Sequence, residues 1–167
     1  RMLGCIKRYC KDFSNLRTLV ILYTTYVRSI LEYGCVVWAP YYKTCVDRLE
    51  LVQIKFVKYI SRRLPLNICK SPDMSMTYLG LSKLNDRRTY LKICFMYKIL
   101  NNICDCPGIL DLIKFNVPQY VIRKSPLFYI DTCNQFYALF SPLNGILASC
   151  NTVCYNVDFF CNKFSSF

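Results

Sequence analysis

Twelve cysteines, at positions 5, 10, 35, 45, 69, 94, 104, 106, 133, 150, 154 and 161, are the residues of this 167-residue chain with the most chemistry to offer. Thiolates hold zinc or pair as disulfides, and both uses leave a spacing signature. Neither signature is present. No Cys-x-x-Cys pair occurs, the nearest approaches being Cys104-x-Cys106 and Cys150-x-x-x-Cys154, and without any histidine only an all-thiolate site would remain. The thiols are scattered through apolar segments, where free cysteine acts as a small buried hydrophobe. Such usage fits a reducing compartment. The expected location is intracellular, in cytoplasm or nucleus, and no metal or cofactor is expected.

The acidic residues point the same way. Metal-dependent phosphoryl transfer needs carboxylates clustered tightly enough to hold two cations. Here ten Asp and Glu are dispersed, with no Asp-Asp pair. The lack of histidine removes the commonest general base and, with it, Ser-His-Asp and Cys-His nucleophiles. Five glycines spread along the chain form no phosphate-cradling loop. The chain by itself is expected to be catalytically inert.

Cations are the positive signal. Twenty-two Lys and Arg give a formal net charge of +12, a balance that favours polyanionic partners, nucleic acid first and anionic membrane second. The sharpest pattern is Arg48, Lys55, Lys58 and Arg62, extended by Arg63. On a helical wheel these fall opposite Val46, Leu49, Val52, Phe56, Val57 and Ile60. Such a stripe can track a phosphate backbone, each contact adding affinity and salt dependence; a merely solvated helix face is the plainer alternative. Arg87, Arg88 and Lys92 form a second cluster, for which pairing with Glu50 or Asp86 is expected. Trp38, Tyr41 and Tyr42 have rings that stack on bases, but packing at a helix end is the expectation. The same holds for Phe128, Tyr129, Phe136, Tyr137, Phe140, Phe159 and Phe160.

Helices must position these groups. The first predicted helix runs from a Ser14 N-cap to Trp38, with Leu16, Val20, Tyr23, Val27, Ile30, Leu31 and Gly34 on its apolar face and Pro40 as its stop. Arg28 and Glu32 lie one turn apart on it. The second spans Thr44 to Arg63, with Thr44-x-x-Asp47 in the form of a capping box and Leu64-Pro65 ending it. A short helical turn within Ser71 to Leu81 closes at Gly80. The third long helix follows an Asn85 cap and continues to about Asn101, apolar nearly all round. Cys106-Pro107-Gly108 reads as a turn, Ile109 to Phe115 as a short helix, and Ser141 to Ala148 as a last helix.

The fold class is therefore mainly α: a small bundle of three long helices with a less regular C-terminal tail. Residues 1–115 form the bundle. After a composition shift near residue 116, residues 116–167 form an irregular tail packed on it. The most membrane-like stretch, Leu19 to Tyr42, carries Arg28 and Glu32, so a bundle interior suits it better than a bilayer. A chain that begins at Arg1, with no initiator methionine and no signal peptide, reads as a piece of a longer protein.

One segment is distinctive beyond its periodicity. Leu31-Glu32-Tyr33-Gly34-Cys35-Val36-Val37-Trp38-Ala39-Pro40-Tyr41-Tyr42-Lys43 resembles the post-catalytic region of reverse transcriptases from jockey-like retrotransposons that lack long terminal repeats. Further resemblances follow in the same order: Asp47-Arg48-Leu49-Glu50-Leu51-Val52-Gln53 with Lys55-Phe56, Leu79-Gly80-Leu81 ahead of Arg87-Arg88, Tyr97-Lys98-Ile99-Leu100-Asn101, Ser141-Pro142-Leu143-Asn144 and Val157-Asp158-Phe159-Phe160. The resemblance implies a thumb-like helical region and its extension, lying after a polymerase palm that carries the paired aspartates. It further implies support of template–primer binding, with RNA or an RNA–DNA hybrid and the palm as partners, and neither a small-molecule ligand nor a membrane. Two departures, the lack of histidine around Asp131 to Asn134 and Gly145 where a basic residue is common, point to the alternative of a decayed structural remnant that binds nothing.

Overall fold

The computed structural model describes residues 1–62, 71–117, 120, 125–131, 141–154 and 159–160. The protein is mainly helical, with one two-stranded sheet among the described residues. Contacts divide it into two compact units: Arg1–Cys35 with Pro40–Arg88, and Val36–Ala39 with Thr89–Phe167.

The first unit opens with α1 (Met2–Tyr9) and α2 (Leu16–Tyr23). Asn15, not Ser14, caps α2, its side chain accepting from the backbone N–H groups of Arg17 (2.9 Å) and Thr18 (3.4 Å). The helix then widens into a π turn at Thr24–Arg28 before resuming as α3 (Ser29–Glu32). Hydroxyls compete for carbonyls at this place: Thr24 Oγ1 donates to Ile21 O at 2.9 Å, and Ser29 Oγ donates to Thr25 O. That competition loosens the regular ladder. The predicted continuous helix to Trp38 does not form. Tyr33 turns out of helix and Gly34 takes φ +62°, a left-handed conformation natural to glycine. A separate α4 (Cys35–Trp38) follows.

After Pro40 comes α5 (Lys43–Ser61), the longest helix described. Its cap position is Tyr42, without a side-chain hydrogen bond, so the Thr44 capping box is not made; Thr44 lies inside the first turn. α6 (Pro72–Tyr78) is capped by Ser71 Oγ, which accepts from Met74 N at 3.2 Å. It ends as expected at Gly80 (φ +64°), with Leu81 N to Met76 O (2.9 Å) and Gly80 N to Thr77 O (3.1 Å), the paired bonds of a Schellman ending. The core of this unit gathers Ile6, Leu19, Tyr23, Val27, Phe56, Val57, Ile60, Met76 and Leu81. Tyr23 and Phe56 stack with ring centroids 4.0 Å apart. Gln53, fully buried, stitches the core: its Oε1 accepts from Tyr23 OH (3.2 Å) and its Nε2 donates to Ser82 O (2.8 Å).

α7 (Leu84–Leu100) starts earlier than predicted, with Asn85 inside its first turn. Asn85 is not its cap; the Asn85 N–H is itself satisfied by the Glu50 carboxylate at 2.7 Å, an anion seated on the positive end of the helix.

In the second unit, Ile93, Met96, Tyr97 and Ile99 of α7 pack with Ile113, Phe128, Ile146, Leu147, Cys150 and Phe159, residues from both sides of position 116. The turn at Cys106 opens α8 (Pro107–Leu110). The helix expected over Ile109 to Phe115 is replaced by the end of α8 and by β1 (Lys114–Phe115), which pairs antiparallel with β2 (Phe128–Tyr129). α9 (Pro142–Val153) carries the predicted last helix five residues further than expected, with Ser141 Oγ accepting from Asn144 N and Pro142 at the first position. Asn151 on α9 bonds both backbone groups of Phe128 at 2.9 Å, standing in for a third strand.

Candidate nucleic-acid interface

α5 has one face for the core and one for solvent. Phe56, Val57 and Ile60 are buried, while Arg48, Lys55, Lys58 and Arg62 are exposed. At 3.6 residues per turn these four cations lie within about 80° of one another and span about 21 Å along the axis. The side chains of these four form no ion pair or hydrogen bond with another described residue. The carboxylate of Glu50, on another face of the same helix, accepts from the Asn85 N–H at the start of α7. Arg63, the predicted extension of the stripe, lies outside the described residues. On the neighbouring α1, the Lys7 ammonium sits 5.6 Å from the centre of the Tyr59 ring.

Charge is concentrated in this unit. Sixteen of the Lys and Arg and six of the acidic residues belong to it, an excess of ten cations; the second unit holds six against four.

The second basic cluster is used differently. Arg87 grips Glu32, Nε to Oε1 at 2.5 Å and Nη2 to Oε2 at 3.0 Å, with Arg28 Nε at 3.8 Å from the same carboxylate. The sequence predicts pairing with carboxylates such as Glu50 or Asp86; Arg87 does take a carboxylate, one 55 residues away, where the end of α3 passes the start of α7. Arg88 is buried, and its three side-chain nitrogens have no hydrogen-bond partner among the described residues. Burial lowers its pKa, against the pull of Glu50 and then of Cys35 and Glu32. Arg28 is lowered chiefly by burial and then by Arg87. Arg87 is thus engaged by a carboxylate and Arg88 is buried, whereas Lys92 is partly exposed.

The rings before α5 are only partly covered. Trp38 is 43% exposed, Tyr41 48% and Tyr42 61%, so these rings are not core. In the tail, Phe128 and Phe159 are buried as expected, edge to face with centroids 5.7 Å apart, whereas Tyr129 and Phe160 are exposed. Phe136, Tyr137 and Phe140 lie outside the described residues.

The cysteines divide as well. Cys10, Cys35 and Cys150 are buried, and Cys5 and Cys45 are exposed. Burial pushes the Cys150 thiol up to about 12. The Cys104 thiol, 3.6 Å from that of Cys106, raises the Cys106 pKa through their shared hydrogen bond. Among the described residues no group of three or more His, Cys, Asp or Glu is placed to hold a metal ion, and no helix is long and apolar enough to cross a membrane.

No family model, curated protein or solved structure matches this chain. The candidate interface is therefore described by geometry alone: a basic helix face, its side chains unpaired among the described residues, on the charge-rich unit. The buried hub at Gln53 is absent from the sequence-based expectations, although a signal exists. A glutamine at the centre of the apolar face of α5, flanked by Val52 and Phe56, is out of place unless it bonds across the core.

Proposed function

We propose that this chain is the C-terminal, post-catalytic part of an RNA-directed DNA polymerase from a retrotransposon without long terminal repeats, and that it supports template–primer binding without catalysing polymerisation. The sequence resemblance suggests the polymerase, and one observation supports the binding: Arg48, Lys55, Lys58 and Arg62 form an exposed stripe that no carboxylate among the described residues neutralises. Phosphate recognition by such a stripe is independent of sequence, and it releases condensed counterions. Four contacts correspond to a log–log salt slope of about −3.6, so affinity for an RNA–DNA hybrid falls by about a hundredfold between 50 and 200 mM salt. The place of action is the cytoplasm or nucleus. Filter binding with a hybrid oligonucleotide tests the reading: the Lys55→Glu, Lys58→Glu, Arg62→Glu triple variant loses binding and most of the salt slope. Unchanged affinity in that variant rules out the stripe as the contact face.

A second reading is that of a structural remnant with no binding of its own. It is favoured by the apolar side chains Ile21, Tyr26 and Ile30, each more than half exposed along α2, the π turn and α3. A wild-type chain that self-associates on size-exclusion chromatography and retains no hybrid on the filter establishes this reading instead.

A further inference from the structure

The tyrosines at the head of α5 add a feature that a phosphate-gripping stripe does not require. Tyr41 and Tyr42 follow Pro40 and hold their rings 4.1 Å apart, centroid to centroid, tilted by 41°. Both are exposed, by 48% and 61%. A hydrogen bond between the two side chains raises the Tyr41 pKa and holds the pair as a unit. Tyr42 is the N-cap position of α5, so the pair sits immediately before the first turn of that helix, which holds Cys45. Cys45 and Arg48 are three residues apart and therefore adjacent on the helix surface. The aromatic pair thus leads directly into the basic stripe, with Arg48 about 9 Å along the axis from Tyr42.

Two exposed rings beside a phosphate-binding track have one natural ligand. Bases inside a duplex have their faces covered by their neighbours, whereas unpaired bases present a free face to an aromatic ring. We propose that Tyr41 and Tyr42 form a stacking platform for unpaired bases, so that the preferred ligand is a hybrid with a single-stranded extension, the duplex lying on Arg48 to Arg62 and the extension on the tyrosines. Charge complementarity selects the partner, since the unit carrying the rings has ten cations in excess. The inference rests on the stripe being a nucleic-acid contact and adds to it the form of nucleic acid bound.

Fluorescence anisotropy of the full 167-residue chain tests it. Three probes share one RNA–DNA hybrid: blunt, with a four-nucleotide extension, and with an abasic extension of the same length. The base-bearing extension raises affinity about tenfold over the blunt hybrid, the effect of one or two stacked bases. The abasic extension, with the same phosphates, gives less than half of that gain on a logarithmic scale. Tyr41→Ala with Tyr42→Ala abolishes the gain and leaves blunt-hybrid affinity within twofold of wild type. Tyr41→Phe with Tyr42→Phe, which keeps the ring faces, retains the gain. Equal affinity for all three probes, or a gain that survives the alanine variant, overturns the platform while leaving the stripe intact. Failure to bind any of the three overturns both.

Discussion

The two units of this protein have different charge and different glue. The first carries ten excess cations on helices packed around stacked Tyr23 and Phe56 and the buried Gln53. The second is nearly neutral by comparison, and side-chain amides stitch it to backbone: Asn151 to both groups of Phe128, and Asn101 to Tyr97 O and Phe159 O. A helix can turn a whole face to solvent without exposing its backbone, so it can carry a charged stripe and a core at once. A two-stranded sheet of two-residue strands cannot stand alone, and the second unit uses its polar side chains to complete it. The first unit thus carries an exposed stripe of cations whose side chains are unpaired among the described residues, besides the polar groups it uses in structure, whereas the second has a small excess of charge.

The largest effect that sharpens this contrast is on the cores. Phe56→Ala should cost about 4 kcal/mol in denaturant unfolding and weaken hybrid binding with it. Phe128→Ala should cost a similar amount, while the fraction that remains folded binds hybrid normally. If the Phe128 variant loses affinity beyond its loss of folded protein, the two units do not differ in role. Next is charge. Reversing Lys55, Lys58 and Arg62 together should lower hybrid affinity about a hundredfold at 50 mM salt and reduce the salt slope by about three. Reversing Lys98 and Lys114 in the second unit should change affinity by less than about threefold.

Glu32→Gln removes the carboxylate that two half-buried guanidinium groups share, Arg87 gripping it and Arg28 approaching it. A loss of about 3 kcal/mol is expected by chemical denaturation, whereas Asp131→Asn, whose partner Lys114 is well exposed, should cost less than about 0.5 kcal/mol. Asn151→Ala, which strands both backbone groups of Phe128, should cost about 2 kcal/mol and appear in hydrogen exchange as faster exchange of the Phe128 amide.

The smallest effect is on thiols. Because burial raises the Cys150 pKa to about 12 in the folded protein, its thiol stays neutral well above its unfolded value. The stability it contributes is complete below about pH 9 and is lost as pH rises toward 12. At about pH 8 a thiol reagent should therefore modify exposed Cys5 and Cys45 within minutes and spare Cys150 until the chain unfolds.

Local chemistry made much of the fold legible. The two faces of α5, the short helix within Ser71 to Leu81 with its Gly80 ending and the last helix from Ser141 all follow from residues within one or two turns of each other, and the structure forms them. What escaped is non-local or energetically balanced. Asn85 is a good cap in isolation, but a carboxylate 35 residues earlier bonds its own N–H at 2.7 Å. Gly34 fits the apolar spacing of a continuous helix, yet its freedom at positive φ lets the chain turn there. The π turn arises from hydroxyls at Thr24 and Ser29 that periodicity does not register. Strands of two residues carry no alternation to detect. At the interface, the direction of the stripe is readable from spacing. Its lack of neutralising partners among the described residues is not, because that depends on where carboxylates far along the chain are folded.

Lysine footprinting by acetylation and mass spectrometry, with and without a bound RNA–DNA hybrid, tests the central claim most directly. Hybrid should slow modification of Lys55 and Lys58 by about fivefold or more while Lys98 and Lys114 react as in the free protein. Protection of Lys98 and Lys114 instead, or unaltered reactivity at Lys55 and Lys58 under saturating hybrid, would contradict it.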